Sequence, residues 1–423
     1  MDKKTLSSFP FHVMTKPIGP ICNLDCKYCF YLEKEELYKG EGKWRMAPEL
    51  LESYVKQYIE AQPTNEVSFA WQGGEPTLLG VDFFRRVVEL QKKYANGKVI
   101  DNAFQTNATL LDDDWALFFK ENDFLVGVSI DGPKEVHDHY RVDKSGGSSF
   151  DRVMAGIKVL QKHDVRFNTL TCVNRVVSKK PLEVYRFLKG IGSSFMQFIP
   201  IVERRPGKQA KEWGLELACP EDSGIDDDDL PVTSWSVRPK DFGDFYTKIF
   251  DRWVQKDVGK IYIQLVETAF TKWIGVPGGI CVHNETCGSA LAVEHNGDMY
   301  SCDHFVYPQY RLGNIKDTPM AEMVQSPAQK KFGLDKRDRL PQYCRDCEVR
   351  FICHGACPKD RFLKTPDGES GLHYLCAGYR AFFNHMTPVM REMTRLYRNK
   401  ASPAGVMELV KGKKIEGYRP GKK

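Results

Sequence analysis

The stretch HVMTKPIGPICNLDCKYCFY, residues 12–31, decides how the rest of the chain is read. Its first five residues, His12–Lys16, are a short β-rich run and predict a strand. The loop that follows carries Cys22, Cys26 and Cys29, at spacings of four and three, with Tyr28, Phe30 and Tyr31 around them. Three closely spaced thiols suit a metal centre, and three rather than four leave one coordination position open. A cluster ligated by four cysteines is full and only moves electrons. With three, one iron of a [4Fe–4S] cube is left to bind a substrate or cofactor directly, as catalytic zinc keeps one open position. The alternative is a zinc site completed by a distant fourth ligand.

Composition narrows the setting. The chain has 423 residues, 42% hydrophobic and 28% charged, with a net charge of +5, which suits an ordinary globular protein with a sizeable core. Basic residues are dispersed except in a tail (Lys411, Lys413, Lys414, Arg419, Lys422 and Lys423) that reads as a solvated, frayed end rather than a nucleic-acid site. No apolar run approaches the roughly 20 residues of a membrane span, and the N-terminus lacks a secretory core, so a cytoplasmic protein is expected. A reducing compartment disfavours disulfides. The thirteen cysteines, three at 22–29 and eight between 281 and 376, therefore point to metal sites, leaving Cys172 and Cys219 as a buried strand thiol and a loop thiol.

Between residues 12 and 202 strands alternate with helices. The strands are predicted at His12–Lys16, Glu66–Trp71, Asn102–Gln105, Leu125–Ile130, Arg166–Val173 and Phe195–Ile199. The helices are predicted at Pro48–Ala61, Val81–Tyr94, Asp113–Glu121, Phe150–Lys162 and Pro181–Lys189. This alternation implies a parallel sheet with right-handed crossovers, and six strands fall short of a closed eight-stranded barrel. The predicted class is α/β, a partial, open (β/α)6 barrel. The cysteine loop after the first strand and the glycine loop after the second then share the C-terminal rim, where such folds build their sites. Residues 1–240 form the barrel unit, with 203–240, including Asp226–Asp229, as a polar insertion. Residues 241–277 connect, with a helix over Asp241–Asp257. Residues 278–380 are expected to be a small domain held by metals rather than an apolar core, and 381–423 a helix over Phe382–Leu396 and the tail.

CNLDCKYC, with its aromatic before the last cysteine, resembles the signature of radical S-adenosylmethionine (SAM) enzymes. The resemblance extends through WQGGEPTLL (71–79), QTNATLL (105–111), SIDGP (129–133) and QFIP (197–200), and is greatest to the anaerobic sulfatase-maturating enzymes. It implies that the open iron is chelated by the methionine moiety of SAM. Gly73 and Gly74 allow close backbone approach, and the resemblance makes their carbonyls acceptors for the SAM amino group. It also makes Tyr28 a SAM contact, places Ser129 and Arg141 near the carboxylate and ribose, and sets Val202 against the adenine. Gln72 would line a peptide pocket.

The C-terminal thiols read Cys281-x5-Cys287-x14-Cys302, then Cys344-x2-Cys347-x5-Cys353-x3-Cys357, then Cys376. Gly297, in HNGDMYSC, suggests a hairpin turn ahead of Cys302. Two structural zincs are the simpler reading. The array resembles the SPASM extension of peptide-modifying radical SAM enzymes, and implies two fully ligated auxiliary clusters, three [4Fe–4S] clusters in all. By the family pattern Cys281, Cys287, Cys302 and Cys357 hold one, and Cys344, Cys347, Cys353 and Cys376 the other. Sequence spacing alone does not give that partition. The resemblance further implies oxidation of a cysteine or serine in a C/S-x-P-x-R segment of an unfolded sulfatase to formylglycine. Asp303, directly after Cys302, would be the proton acceptor, and His304 structural. A flavodoxin or ferredoxin would donate electrons, with no nucleic acid or membrane partner. Two rivals are a maturase that crosslinks ribosomal peptides and a non-catalytic iron–sulfur or zinc scaffold. Such maturases often carry an N-terminal peptide-binding domain, for which CNLDC at residue 22 leaves no room; the scaffold does not account for GGEP.

Overall fold

A computed structural model describes residues 6–40, 42–222, 231–277 and 279–421. Asp226–Asp229, Lys422 and Lys423 lie outside the described residues. Six parallel strands form the centre: β1 (His12–Lys16), β2 (Glu66–Trp71), β3 (Val99–Thr106), β4 (Leu125–Ser129), β5 (Phe167–Val173) and β6 (Phe195–Pro200). Helices Pro48–Ala61, Val81–Tyr94, Asp113–Glu121, Phe150–Lys162 and Pro181–Gly190 connect them in the expected places. The apolar stripe of the first helix, Leu50, Leu51, Tyr54, Val55, Tyr58 and Ile59, is buried as its spacing requires. Alternate β2 residues Val67, Phe69 and Trp71 are buried under the helices. There Trp71 donates its indole N–H to Asn102 at 2.8 Å.

The sheet does not stop at six strands. Its order is β10-β9-β8-β1-β2-β3-β4-β5-β6-β7. At one edge β7 (Tyr262–Ile263) pairs parallel to β6. At the other, β8 (Ala290–Glu294) runs parallel to β1, and β9 (Asp298–Tyr300) and β10 (Arg311–Asn314) follow antiparallel. β1 and β6 thus keep separate neighbours and the barrel stays open. A two-residue β7 shows no alternation, and the pairing of β8 with β1 is non-local, so neither was visible in the pattern. Gly297, at φ +94°, makes the expected turn between β8 and β9.

Two expectations change. The cysteine-rich region does have an apolar core. Ile315, Met320, Met323, Val324, Val349, Ile352 and Leu375 are buried in one cluster with the barrel residues. The final long helix, Cys376–Arg398, packs Tyr379 edge-to-face on Phe242 and Phe382 at a tilt on Tyr246 of helix Pro239–Lys256, with ring centroids 4.8 and 5.1 Å apart. The basic tail is not frayed either. Its described charges, Lys411, Lys413, Lys414 and Arg419, are exposed, but Ile415 is buried. Asp251 accepts hydrogen bonds from the Tyr418 hydroxyl and the Gly421 amide, both at 2.6 Å, and is bonded to His385 at 2.6 Å. Among the described residues no helix is long and apolar enough to cross a membrane.

Removing the shared acceptor in Asp251→Ala is expected to speed amide exchange across residues 406–421 about tenfold, equivalent to about 1.4 kcal/mol of local stability. Hydrogen-exchange mass spectrometry against the rest of the chain checks this.

Candidate active site

The first cysteine loop is built against the glycine loop by backbone bonds. Gln72 N–H donates to Thr15, Gly74 N–H to Gly19 and Glu75 N–H to Ile21, at 2.9, 2.7 and 2.8 Å. A Cβ on Gly74 would stand 1.9 Å from the Ile21 carbonyl oxygen, and Gly73 has φ +142°. The close approach of the cysteine loop itself therefore demands a glycine at 74. On its other side the loop is held by residues 140–143, with Asp25 N–H donating to Val142 at 2.8 Å and Lys27 N–H to Tyr140 at 3.0 Å. Asn107 donates its amide to Cys22 Sγ at 3.8 Å and to Asn23 at 2.8 Å.

Glu75 is buried beneath this junction. It accepts from Thr77 N–H and hydroxyl, Thr106 hydroxyl and Asn107 N–H, at 3.0, 2.6, 2.8 and 2.7 Å. Burial pushes its carboxyl up against the pull of those bonds. The three thiols also rise. Cys22 is pushed up to about 12, by burial first and then Glu75, while Arg141 opposes the rise at Cys26 and Cys29. Buried thiols that raise one another in this way have much to gain from a metal, which deprotonates them.

Tyr28 lies in the loop itself, and Arg141 reaches it from the segment after β4. Tyr28 donates to Asp131 at 2.5 Å, and the Arg141 guanidinium lies 5.5 Å from the Tyr28 ring centroid. Asp131, which the sequence reading passed over inside SIDGP, also pairs with Arg141 Nε at 3.1 Å and accepts from Cys172 N–H at 3.0 Å. Cys172 is a strand thiol on β5, as expected, and accepts from Arg141 Nη2 at 3.5 Å. Cys219 is a buried loop thiol bonded to Gln209 at 3.5 Å. Ser129 accepts from Gln105 at 2.9 Å at the end of β4. Half-buried Gln72 follows β2. Val202 is buried and lines a small, partly open pocket with Phe30, Glu203, His304, Tyr307 and Lys359.

The eight C-terminal thiols fall into two groups by the charges they feel. Cys302 is raised by burial and then by Cys357 and Cys281, and Cys357 in turn by Cys281 and Cys287. Cys353 is raised by burial and then by Cys376, with Cys344 and Cys347 contributing. The second group lines a small, partly open pocket. Among the described residues no three His, Cys, Asp or Glu side chains close around a single point as they would around one ion. Two cations the sequence did not flag stand beside the two groups: Lys336, which donates to the Cys281 and Val282 carbonyls at 2.6 and 2.9 Å, and Arg361, bonded to Gly355 at 2.7 Å. Both feel thiols of these groups and offset thiolate charge. Their helix and loop carry no motif that marks them.

Asp303 follows Cys302 on a short turn and pairs with Lys16 at 2.5 Å. Burial raises its carboxyl, but Lys16 and neighbouring cations hold it below the usual range. Its neighbour His304, not Asp303 itself, joins the wall of the pocket that Val202 lines. Burial and Lys359 push His304 down to about 4, so it is neutral.

Comparison with known proteins fits this geometry. Residues 17–188 match the Radical SAM superfamily, and residues 281–348 match SPASM, an iron-sulfur cluster-binding domain. The chain is 46% identical over 402 residues to a serine-type anaerobic sulfatase-maturating enzyme of Bacteroides thetaiotaomicron, covering 95% of each. The chain belongs to the anaerobic sulfatase-maturating enzymes. Another sulfatase-maturating relative, a cysteine-type enzyme of Clostridium perfringens, is 32% identical, over 90% of this chain and 97% of its own. The solved structure of native anSMEcpe with bound AdoMet superposes with a TM-score of 0.79 at 31% identity, covering 91% of this chain and 100% of that one. Sulfatase-maturating enzymes are radical SAM oxidoreductases that oxidise serine or cysteine in sulfatases, and their two domains imply iron–sulfur clusters and SAM.

Gly74→Ala is expected to destabilise the junction by about 3 kcal/mol, since backbone faces the added methyl. Gly190→Ala, with open space around the added carbon, should be neutral or better. Thermal melts of the two variants side by side check the contrast.

Proposed function

We propose that this enzyme oxidises a serine side chain, within an S-x-P-x-R segment of an unfolded sulfatase, to formylglycine. The observation that carries the serine assignment is the 46% identity, end to end, to a serine-type relative, against 32% to a cysteine-type one. Cys22, Cys26 and Cys29 would hold a [4Fe–4S] cluster with one iron free. Cys281, Cys287, Cys302 and Cys357, and Cys344, Cys347, Cys353 and Cys376, would hold two more. Tyr28, Gly73, Gly74, Ser129, Arg141 and Val202 would hold SAM. When bound, these cofactors supply a 5′-deoxyadenosyl radical that takes the β-hydrogen atom, and an acceptor for the leftover electron.

The chain's own residues do the rest. Turning the alcohol into an aldehyde removes a hydrogen atom, a proton and an electron, and the proton goes to Asp303. A carboxylate kept ionised by Lys16 is ready to accept it. The pocket walled by Val202, Phe30 and Tyr307 shields the target residue from water, with His304 on the same wall. Gln72 orients the peptide. A flavodoxin or ferredoxin supplies the first electron, and the cytoplasm supplies the reducing setting that free thiols need.

The test incubates reduced, iron-reconstituted protein with SAM and peptides carrying S-x-P-x-R or C-x-P-x-R. A hydrazine-trappable aldehyde on the serine peptide, forming in step with 5′-deoxyadenosine, is the expected result. Conversion of the cysteine peptide alone overturns the serine assignment, and SAM cleavage without aldehyde on either peptide overturns the substrate. Cys26→Ala is expected to stop SAM cleavage while keeping about eight of about twelve irons. Asp303→Asn is expected to release 5′-deoxyadenosine but lose about 10²-fold or more in aldehyde. Both are read by chromatography and iron assay.

A further inference from the structure

Lys16 is the last residue of β1 and stands opposite Glu294 on β8. Its side chain is 1% exposed, and an ammonium so far from water is costly unless it is paired. It is paired with the Asp303 carboxylate at 2.5 Å, and it lies 4.2 Å from the centroid of the Tyr31 ring. Tyr31 in turn donates its hydroxyl to Glu294, which is fully buried. Three segments therefore converge on one cation: the end of β1, the first cysteine loop, and the β8–β9 hairpin with the turn that follows it.

Stability alone does not call for this arrangement, since a buried ion pair replaced by apolar side chains is often no less stable. Asp303 does call for it. The three-residue turn that carries it has no side-chain cap, and the ion pair given for its carboxylate among the described residues is the one with Lys16. Lys16 fixes it from across the sheet, and through Tyr31 refers its position to the loop of Cys22, Cys26 and Cys29.

We propose that Lys16 is a positioning residue for the reaction, holding the proton acceptor Asp303 in register with the first cysteine loop, so that hydrogen-atom and proton removal act on the same bound residue. This rests on the reading of Asp303 given above. The expected consequence of losing Lys16 is uncoupling, in which SAM is spent without product.

The test measures aldehyde formed per 5′-deoxyadenosine in Lys16→Met, Lys16→Arg, Asp303→Asn and the Lys16→Met/Asp303→Asn double variant, with iron content and peptide affinity by fluorescence anisotropy. Lys16→Met is expected to lower the ratio about tenfold or more, with iron and peptide affinity kept, and Lys16→Arg to recover much of it. The double variant should be no worse than Asp303→Asn alone, in the ratio and in melting temperature, because both changes break one interaction. A wild-type ratio in Lys16→Met, an arginine variant no better than methionine, or strictly additive losses would each overturn the proposal. If Lys16→Met loses iron, Lys16→Gln replaces it under the same criteria. Should Asp303→Asn keep the wild-type ratio, the reading of Asp303 fails and this proposal with it. Uncoupling in Asp303→Asn alone would sink only the role of Lys16.

Discussion

The parallel pairing of β1 with β8 is the constraint on which the site depends. It aligns five residues on each strand, from His12 opposite Ala290 to Lys16 opposite Glu294. Strands in register deliver their C-terminal ends to the same edge. One end leads into Cys22, Cys26 and Cys29, and the other, after the turn at Gly297 and the return along β9, into Cys302 and Asp303. A shift of one residue would turn Lys16 to the opposite face and leave Asp303 without its cation. The pairing also explains why the barrel is open: the edge of β1 that closure would use is occupied by β8.

The molecule also holds three buried ion pairs that matter to the proposed site. Lys16 meets Asp303, Arg141 meets Asp131, and Lys359 meets Glu203 at 2.7 Å. Each joins chain segments distant in sequence, and each stands close to a residue proposed to bind SAM, iron or substrate. Such pairs contribute little net stability but restrict geometry. Restricted geometry is what radical chemistry requires of a protein: the cofactors supply the reactivity, and the chain has to hold one carbon and one proton acceptor in fixed relation. The apolar core running from the barrel into the cysteine-rich region serves the same end, since the two sets of thiols then move as one body.

Much of this was legible in advance. The parallel strands showed because buried β-rich runs alternate with amphipathic helices, a local signal. The cysteine loop and glycine loop showed because their chemistry needs particular residue types at short spacing. Glu75 and Asp131 lay inside quoted motifs yet were passed over, because burial, not residue type, gives a carboxylate its importance. Lys336 and Arg361 carried no signal at all, since a lone cation on a helix or loop usually faces water. The tail was misread for the converse reason: its charges do face water, while Ile415 and Tyr418 between them dock on the body.

By itself, then, the sequence determined the alternating strands and helices of the barrel and which thiols cluster along the chain, because periodicity and thiol spacing are properties of neighbours along the chain. Only the tertiary structure decided which thiols share a field, which strand flanks β1, and which ammonium answers Asp303. Those are contacts between segments hundreds of residues apart, set by sheet register and by the cost of leaving a buried charge alone, and neither is written in local order.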